Sequence, residues 1–307
     1  MCMKILITGA SGLLGLNLSL GMIDAHTIMG VDRNKLTGTP FEIVKADLLK
    51  AGACSRLIDE VQPDAIIHTA ANANVDACEA DPVGARLLNA EFPGQLAELC
   101  AQRGVRMIHI STDAVFDGTK DSIYTEEDKP NPLSIYARTK LDGENAVLSG
   151  NSAAVVARVN FFGWSLSGER SLSEFFFNHL RAGKPCNGFT DVWFCTMFVG
   201  DLAGTLVRML EKGLSGLYHV VGSEALTKYD FGVRIARQFG FDEKLIRPIS
   251  VEASGLTAKR SRKLRLSVHK LSTDLGMKIP SVSTGIEKFY TQYQQGYPQK
   301  MRSYQQV

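Results

Sequence analysis

The sequence predicts an α/β protein: a doubly wound parallel sheet with a smaller α/β lobe attached to it. Three observations carry that prediction. Short apolar runs alternate with helical segments through the first half of the chain, the pattern of parallel strands joined by crossover helices. A glycine-rich turn, Gly9-Ala10-Ser11-Gly12-Leu13-Leu14-Gly15, follows directly on the apolar run Lys4-Ile5-Leu6-Ile7-Thr8 and leads into an apolar-periodic helix through Leu18 and Leu20. The alternation then breaks near residue 160, at Phe161-Phe162-Gly163-Trp164 and a Ser/Gly stretch over 165–171. That stretch reads as a loop over the carboxyl edge of the sheet, where such sheets bind ligands.

Taken in order, strands are expected over 3–8, 27–32, 42–45, 64–69, 105–111 and 153–159, and helices over 12–22, 53–61, 83–103 and 134–148. Residues 1–164 and 189–222 make the large domain, with one more helix and strand supplied by 199–221. Residues 165–188 and 223–307 make the smaller lobe. A chain of 307 residues can bury a substantial core. Its 45% hydrophobic and 21% charged content is ordinary for a soluble globular enzyme. A net charge of +2 is too near neutrality for bulk attraction to nucleic acid or to a membrane. Lys4 followed by apolar residues has the outline of a secretion signal, but the strand–glycine turn–helix order argues against it, and no apolar run reaches spanning length. The cysteines at 2, 54, 78, 100, 186 and 195 show no C-x-x-C pair and no metal-ligand spacing. They read as reduced thiols of a cytoplasmic protein, and no metal site is indicated.

The glycine turn is a phosphate cradle. Glycines permit the tight turn, let backbone N–H groups approach a pyrophosphate, and let helix and strand pack closely. The helix N-terminus adds a partial positive charge. The second strand, Thr27-Ile28-Met29-Gly30-Val31-Asp32, ends in a carboxylate about 20 residues past the middle glycine, where a ribose-binding acid belongs. An acid there repels a 2′-phosphate and favours NAD. Arg33 beside it could bind that phosphate instead, so the cofactor is NAD(P)H with NAD favoured.

Two further signals follow. Ser111 and Thr112 close the run Ile108-His109-Ile110, placing hydroxyls at a strand's carboxyl end, where they can hold a substrate oxygen for proton transfer. Tyr136-Ala137-Arg138-Thr139-Lys140 puts a phenol and an ammonium on neighbouring turns of one helix face. Taken singly, a hydroxyl pair caps a helix or forms a turn, and a Tyr-x-x-x-Lys pair is a solvated face. The four signals together point to one site.

With these residues the chain resembles the extended short-chain dehydrogenase/reductases, most closely the dTDP-4-dehydrorhamnose reductase family. The resemblance runs over nearly the whole length and is sharpest at Ser111-Thr112-Asp113-Ala114-Val115-Phe116-Asp117-Gly118, at Asn131-Pro132-Leu133-Ser134-Ile135-Tyr136 and at Lys140-Leu141-Asp142-Gly143-Glu144. It implies a Rossmann-type large domain, a lobe that binds a nucleotide-linked sugar, and hydride transfer from reduced nicotinamide to a 4-keto-hexose. Carried over residue by residue, Tyr136 gives the proton, Lys140 lowers the tyrosine's pKa and holds the nicotinamide ribose, and Thr112 hydrogen-bonds the substrate oxygen with Ser111 beside it. Gly9, Ser11, Gly12, Leu13, Leu14 and Gly15 cradle the pyrophosphate. Asp32 and Arg33 meet the ribose, Asp47 and Leu48 the adenine, and Ala70, Ala71 and Asn89 line the cofactor's path. Asp113, Val115, Arg260 and Arg262 fall on the substrate side.

Three departures bear on the substrate. Ala114 stands where related sugar-nucleotide 4,6-dehydratases carry an acid of a Thr-Asp-Glu run, which argues against water elimination. The basic run Lys259-Arg260-Ser261-Arg262-Lys263 has serine where the family has proline, and it reads either as arginines reaching a diphosphate or as a solvated face. The family's Pro-Thr is not intact around Thr196-Met197. The expected activity is reduction of a 4-keto nucleotide-sugar. A sugar-nucleotide 4-epimerase, and a non-catalytic binding role like that of the regulatory subunit of methionine adenosyltransferase, are the alternatives. A homodimer is left open.

Overall fold

The computed structural model describes residues 2–254 and 261–306. Seven strands form its central sheet: β1 (Lys4–Thr8), β2 (Thr27–Asp32), β3 (Glu42–Lys45), β4 (Ala65–His68), β5 (Arg106–Thr112), β6 (Val155–Val159) and β7 (Gly216–Val220). Their spatial order is β3-β2-β1-β4-β5-β6-β7, and every neighbouring pair is parallel. The chain winds outward from β1 to β3, then returns to lay β4 on the other side of β1. That reversal opens a crevice at the carboxyl ends of β1 and β4.

Strands β1 and β4 read as unbroken apolar runs because both of their faces are covered. Ile5, Ile7, Ala65, Ile66 and Ile67 have no exposed surface. On one face, the helices Leu13–Met22 and Val199–Glu211 pack over Ile5 and Ile7. On the other, Ala53–Val61, Phe92–Arg103 and Ile135–Gly150 pack over Leu6 and Ile66. These are the elements the alternation predicts, to within about two residues at each end.

One predicted helix is different. The expected 83–103 segment is Pro82–Arg86, a wide π turn over Leu87–Glu91, and then Phe92–Arg103. Pro93 lies in the first turn of the last piece and has no N–H to continue a regular ladder. The wide turn also brings Asn89, fully buried, against the neighbouring Ile135–Gly150 helix, where its amide reaches Thr139. Gly143 permits that contact, since a methyl group there would run into the Asn89 carbonyl.

The remaining short strands lie on the far side of the crevice. Trp193–Cys195 pairs with Ala225–Thr227 and Lys263–Leu264, and Cys186–Phe189 pairs with Ile246–Ile249. This part shares its core with the sheet, because one apolar cluster runs from Ile5 and Leu16 through Trp164 and Phe177 to Phe289 and Met301. Trp164 stacks on Phe289 with ring centroids 3.9 Å apart. The C-terminal residues Gln305–Gln306 return to pair with Leu36–Thr37 beside the sheet. All six cysteines are free, and only Cys2 is exposed. Among the described residues, no helix is long and apolar enough to cross a membrane, and no cluster of three or more metal-ligating side chains occurs.

Candidate active site

The cradle forms first, from local geometry. Gly9 adopts φ +70, and its N–H donates to the Val31 carbonyl at 2.9 Å. A side chain at Gly9 would sit 2.9 Å from the Ala70 backbone, and one at Gly15 would run into the Gly9 carbonyl. The glycines therefore let the turn close on itself and on the end of β4. The Leu13–Met22 helix starts at Gly12 with no side-chain cap, which leaves its first N–H groups for an anion. Asp32 reaches across from β2, and its Oδ2 accepts from the Ser11 N–H at 3.0 Å and the Ser11 hydroxyl at 2.7 Å. Asp32 is thus tied to the glycine turn.

Three adjoining cavities follow this edge of the sheet. The first, about 270 Å³, is lined by Ser11, Asp32, Arg33, Asp47, Leu48 and Ala70. The second, about 390 Å³, is lined by Leu13, Leu14, Gly15, Ser111, Tyr136 and Lys140. They meet at Gly9, Gly12, Thr69, Ala71 and Arg170, which line both. The third, about 370 Å³, lies between Asn74, Ala114, Ser134, Trp193, Lys228 and Ser261. It meets the second at Ala73, Asp113, Tyr136 and Asn160. Tyr136 and Asp113 therefore stand on the boundary between the second cavity and the third.

Ser134 begins the helix that carries the tyrosine, its hydroxyl accepting from the Ala137 N–H at 3.2 Å. Tyr136 is half-buried at the cavity wall. Its phenol is pushed up to about 12, chiefly by burial; a hydrogen bond with Thr112 works the other way, and the Asp113 charge adds to the rise. The lowering expected from Lys140 is not seen. The Lys140 amine is buried and turned toward β5, where it donates to the Ile110 carbonyl at 2.6 Å and lies 3.3 Å from His109 Nε2. Burial pulls Lys140 down to about 8. Asp113 is held by Asn160 at 2.8 Å and by the Thr112 hydroxyl at 3.2 Å, and burial raises its carboxyl to about 6 against those bonds.

Several predicted residues have other partners. The Ser111 hydroxyl donates to Glu144 at 2.5 Å, and Glu144 forms a buried ion pair with Arg158 at 2.7 Å. Asn89 lies behind the crevice rather than in it. Its Oδ1 accepts from the Asn72 N–H at 2.9 Å and its Nδ2 donates to the Asn72 carbonyl at 3.0 Å, so it fixes the loop that follows β4. Val115 is fully buried in a cluster with Phe116, Tyr124 and Leu264, away from the cavities, because a tight turn after Thr112 swings its side chain inward. Arg262 is exposed and paired with Glu252 at 2.6 Å, which favours the solvated-face reading at that position. Arg260 lies outside the described residues.

Sequence reasoning missed Thr69, Asn160, Arg170, Trp193 and Lys228 as cavity walls. Asn160 follows β6 directly and so stands at the carboxyl edge, a signal available from the strand prediction itself. Thr69 likewise ends the predicted 64–69 strand, whereas Arg170 sits on a loop, Trp193 on a three-residue strand and Lys228 at the first position of the Lys228–Phe239 helix, none of them marked by periodicity.

A profile of the RmlD substrate binding domain family matches residues 3–295. The chain is 33% identical over 281 residues to a probable low-salt glycan biosynthesis reductase of Haloferax volcanii, covering 90% of this chain and 93% of that one. It is 36% identical over 299 residues to the mouse (Mus musculus) methionine adenosyltransferase 2 subunit beta, covering 93% and 86%. The crystal structure of dTDP-4-dehydrorhamnose reductase from Bacillus anthracis in complex with NADP superposes with a TM-score of 0.85 at 24% identity, covering 95% of this chain and 100% of that one. That likeness is one of fold.

Proposed function

The chain belongs to the RmlD substrate binding domain family, and from that premise we propose that it is an NAD(P)H-dependent reductase of a 4-keto nucleotide-sugar, an oxidoreductase of the short-chain type. The observation that carries the reading is the position of Tyr136, at the junction of the second cavity, which runs on from the glycine turn, and the third. Gly9, Gly12 and Gly15 let the turn close where side chains would crowd its backbone and that of Ala70, and the helix that follows starts with no side-chain cap. The residues present fit a dinucleotide, with Asp32, Arg33, Asp47 and Leu48 at the adenosine end. Residues 1–164 and 189–222 carry the cofactor in this reading, and 165–188 and 223–307 complete the sugar-nucleotide side.

When bound, NAD(P)H supplies the hydride to the carbonyl carbon. Tyr136 supplies the proton to the carbonyl oxygen, so the ketone becomes an alcohol. With its phenol raised to about 12, Tyr136 is protonated across the neutral range, the form a proton donor needs. Thr112, hydrogen-bonded to it, orients the substrate oxygen. Lys140 lies one helical turn on and lines the same cavity; in this reading it holds the nicotinamide ribose, which requires its amine to turn from the Ile110 carbonyl toward the cavity. Asp113 and Asn160 form a coupled polar pair facing the sugar. Ala114 lines the third cavity beside them, which supports reduction over elimination of water.

The test is turnover of nucleotide-linked 4-keto-hexoses with NADH or NADPH by wild type and by Tyr136→Phe. The variant should lose at least ~10²-fold in rate, the scale of positioned general-acid catalysis, with cofactor affinity nearly intact. An active Tyr136→Phe enzyme removes the assignment. The identity shared with the mouse subunit favours a second reading, a binding role on methionine adenosyltransferase. Wild type that reduces none of these sugars yet co-purifies with a methionine adenosyltransferase would put that reading first.

A further inference from the structure

We infer that Arg170 is a cofactor-binding residue, clamping the dinucleotide's pyrophosphate from the side of the crevice opposite the glycine turn. This rests on the proposed dinucleotide site and adds to it a residue that no spacing or motif picks out. Five residues line both the adenosine-side and the nicotinamide-side cavities: Gly9, Gly12, Thr69, Ala71 and Arg170. They form the waist through which a dinucleotide must thread, and the waist is where its two phosphates lie. Four of the five bring no formal charge, and the turn offers only backbone N–H groups and a helix dipole. Arg170 alone brings a full positive charge to a group carrying about two negative ones.

The guanidinium is exposed and forms no ion pair or hydrogen bond with the described residues, so it is available to a ligand. Its backbone, by contrast, is fixed. Glu174, with no exposed surface, accepts the Arg170 N–H at 2.9 Å and the Ser171 N–H at 3.1 Å. The same carboxylate takes the Ser165 N–H at 2.6 Å and the Ser165 hydroxyl at 2.8 Å. Gly168 turns the loop at φ +76, and Asn178 donates to its carbonyl at 2.7 Å. A loop tied down by one buried carboxylate thus presents one unpaired arginine to the waist. Little ordering is then required of the backbone when the arginine engages, and a guanidinium can meet two phosphate oxygens at once.

Fluorescence titration of NADH and NADPH into wild type, Arg170→Gln and Arg170→Lys tests this. Arg170→Gln should raise the dissociation constant of both cofactors by about 10-fold or more, the scale of a lost charge-assisted contact. Arg170→Lys should recover part of the loss, because it keeps the charge without the fork. The salt dependence of binding should be shallower in Arg170→Gln than in wild type, since one screened charge is gone. Melting curves without cofactor should coincide with wild type, because the side chain has no partner to lose. Wild type binding with Arg170→Gln unchanged overturns the clamp and leaves the dinucleotide site standing. Wild type that binds neither cofactor overturns both.

Discussion

The protonation of Tyr136 and Lys140 depends on how buried groups share charge. Burial raises the phenol and lowers the amine of Lys140, so each group is moved toward its neutral form. The Tyr-x-x-x-Lys spacing was legible in the sequence, but the direction in which Lys140 points was not. Its turn toward the Ile110 carbonyl depends on His109 and on β5, which lie about 30 residues away in the chain. The cofactor preference is set at the same scale. Asp32 commits Oδ2 to Ser11 and accepts the Asn34 N–H on Oδ1 at 3.3 Å. Arg33 is exposed, lines the same cavity, and makes no bond with the described residues. Arg33→Ala should therefore weaken NADPH by about 10-fold while leaving NADH within about 2-fold, since only NADPH carries the 2′-phosphate. Asp32→Ala should do the reverse, weakening NADH more than NADPH. Titrations of both cofactors into both variants measure this, and an Arg33→Ala protein that loses NADH and NADPH equally would mean Arg33 does not read that position.

Among the elements, strands with both faces covered announced themselves as apolar runs, and the glycine turn marked the start of the first helix. What the sequence hid were features whose cause lies elsewhere in the chain. The π turn at Leu87–Glu91 carries Asn89 to Asn72 and Thr139, partners that lie elsewhere in the chain. The pairing of Gln305–Gln306 with Leu36–Thr37 involves strands of two residues, too short for any period to show. The Ile135–Gly150 helix carries a further hidden device, the buried Glu144–Arg158 pair that also accepts the Ser111 hydroxyl. It locks that helix to β5 and β6. Glu144→Gln leaves the Arg158 charge uncompensated among apolar residues, at a cost of about 3–5 kcal/mol. Denaturant unfolding should show that loss directly. A cost below about 1 kcal/mol would mean that water reaches the pair and that it does not fix the helix. Gly143→Ala should also destabilise, by pushing the same helix off the Asn89 carbonyl.

For the whole molecule, the buried histidines set how stability responds to acid. His68, His109 and His219 have no exposed surface. His68 and His219 are held down to about 3, and His109 well below its ordinary value, in each case chiefly by burial. Lys140 presses further on His68 and His109, and Arg158 on His219. Each is neutral in the folded protein but takes up a proton near pH 6.5 when unfolded. Their contribution to stability is therefore complete above about 6.5 and is lost as the pH falls toward their folded values, with a slope of about 1.4 kcal/mol per pH unit for each histidine. Asp113 has the opposite sign. Its carboxyl is raised from 3.8 to about 6 in the folded state, so between those values the folded protein binds the extra proton and gains stability on acidification. The three histidines outweigh this one carboxylate between about pH 6 and 4, and Asp117, held down to about 2, with Asp128 and Glu224, also held low, add to the loss toward the acid end. Urea unfolding at steps of pH across 4.5–7.5 should show stability falling below 6.5, and His68→Gln, which cannot titrate, should flatten that slope by about one proton's worth. His68→Gln also puts at risk the 2.7 Å contact between Thr8 and His68 Nδ1, so its stability at pH 7.5 will drop, but the change of slope is separate from that offset. A wild-type stability that stays level from pH 7 to 4.5 would show that these rings are charged, or hydrated, inside the fold.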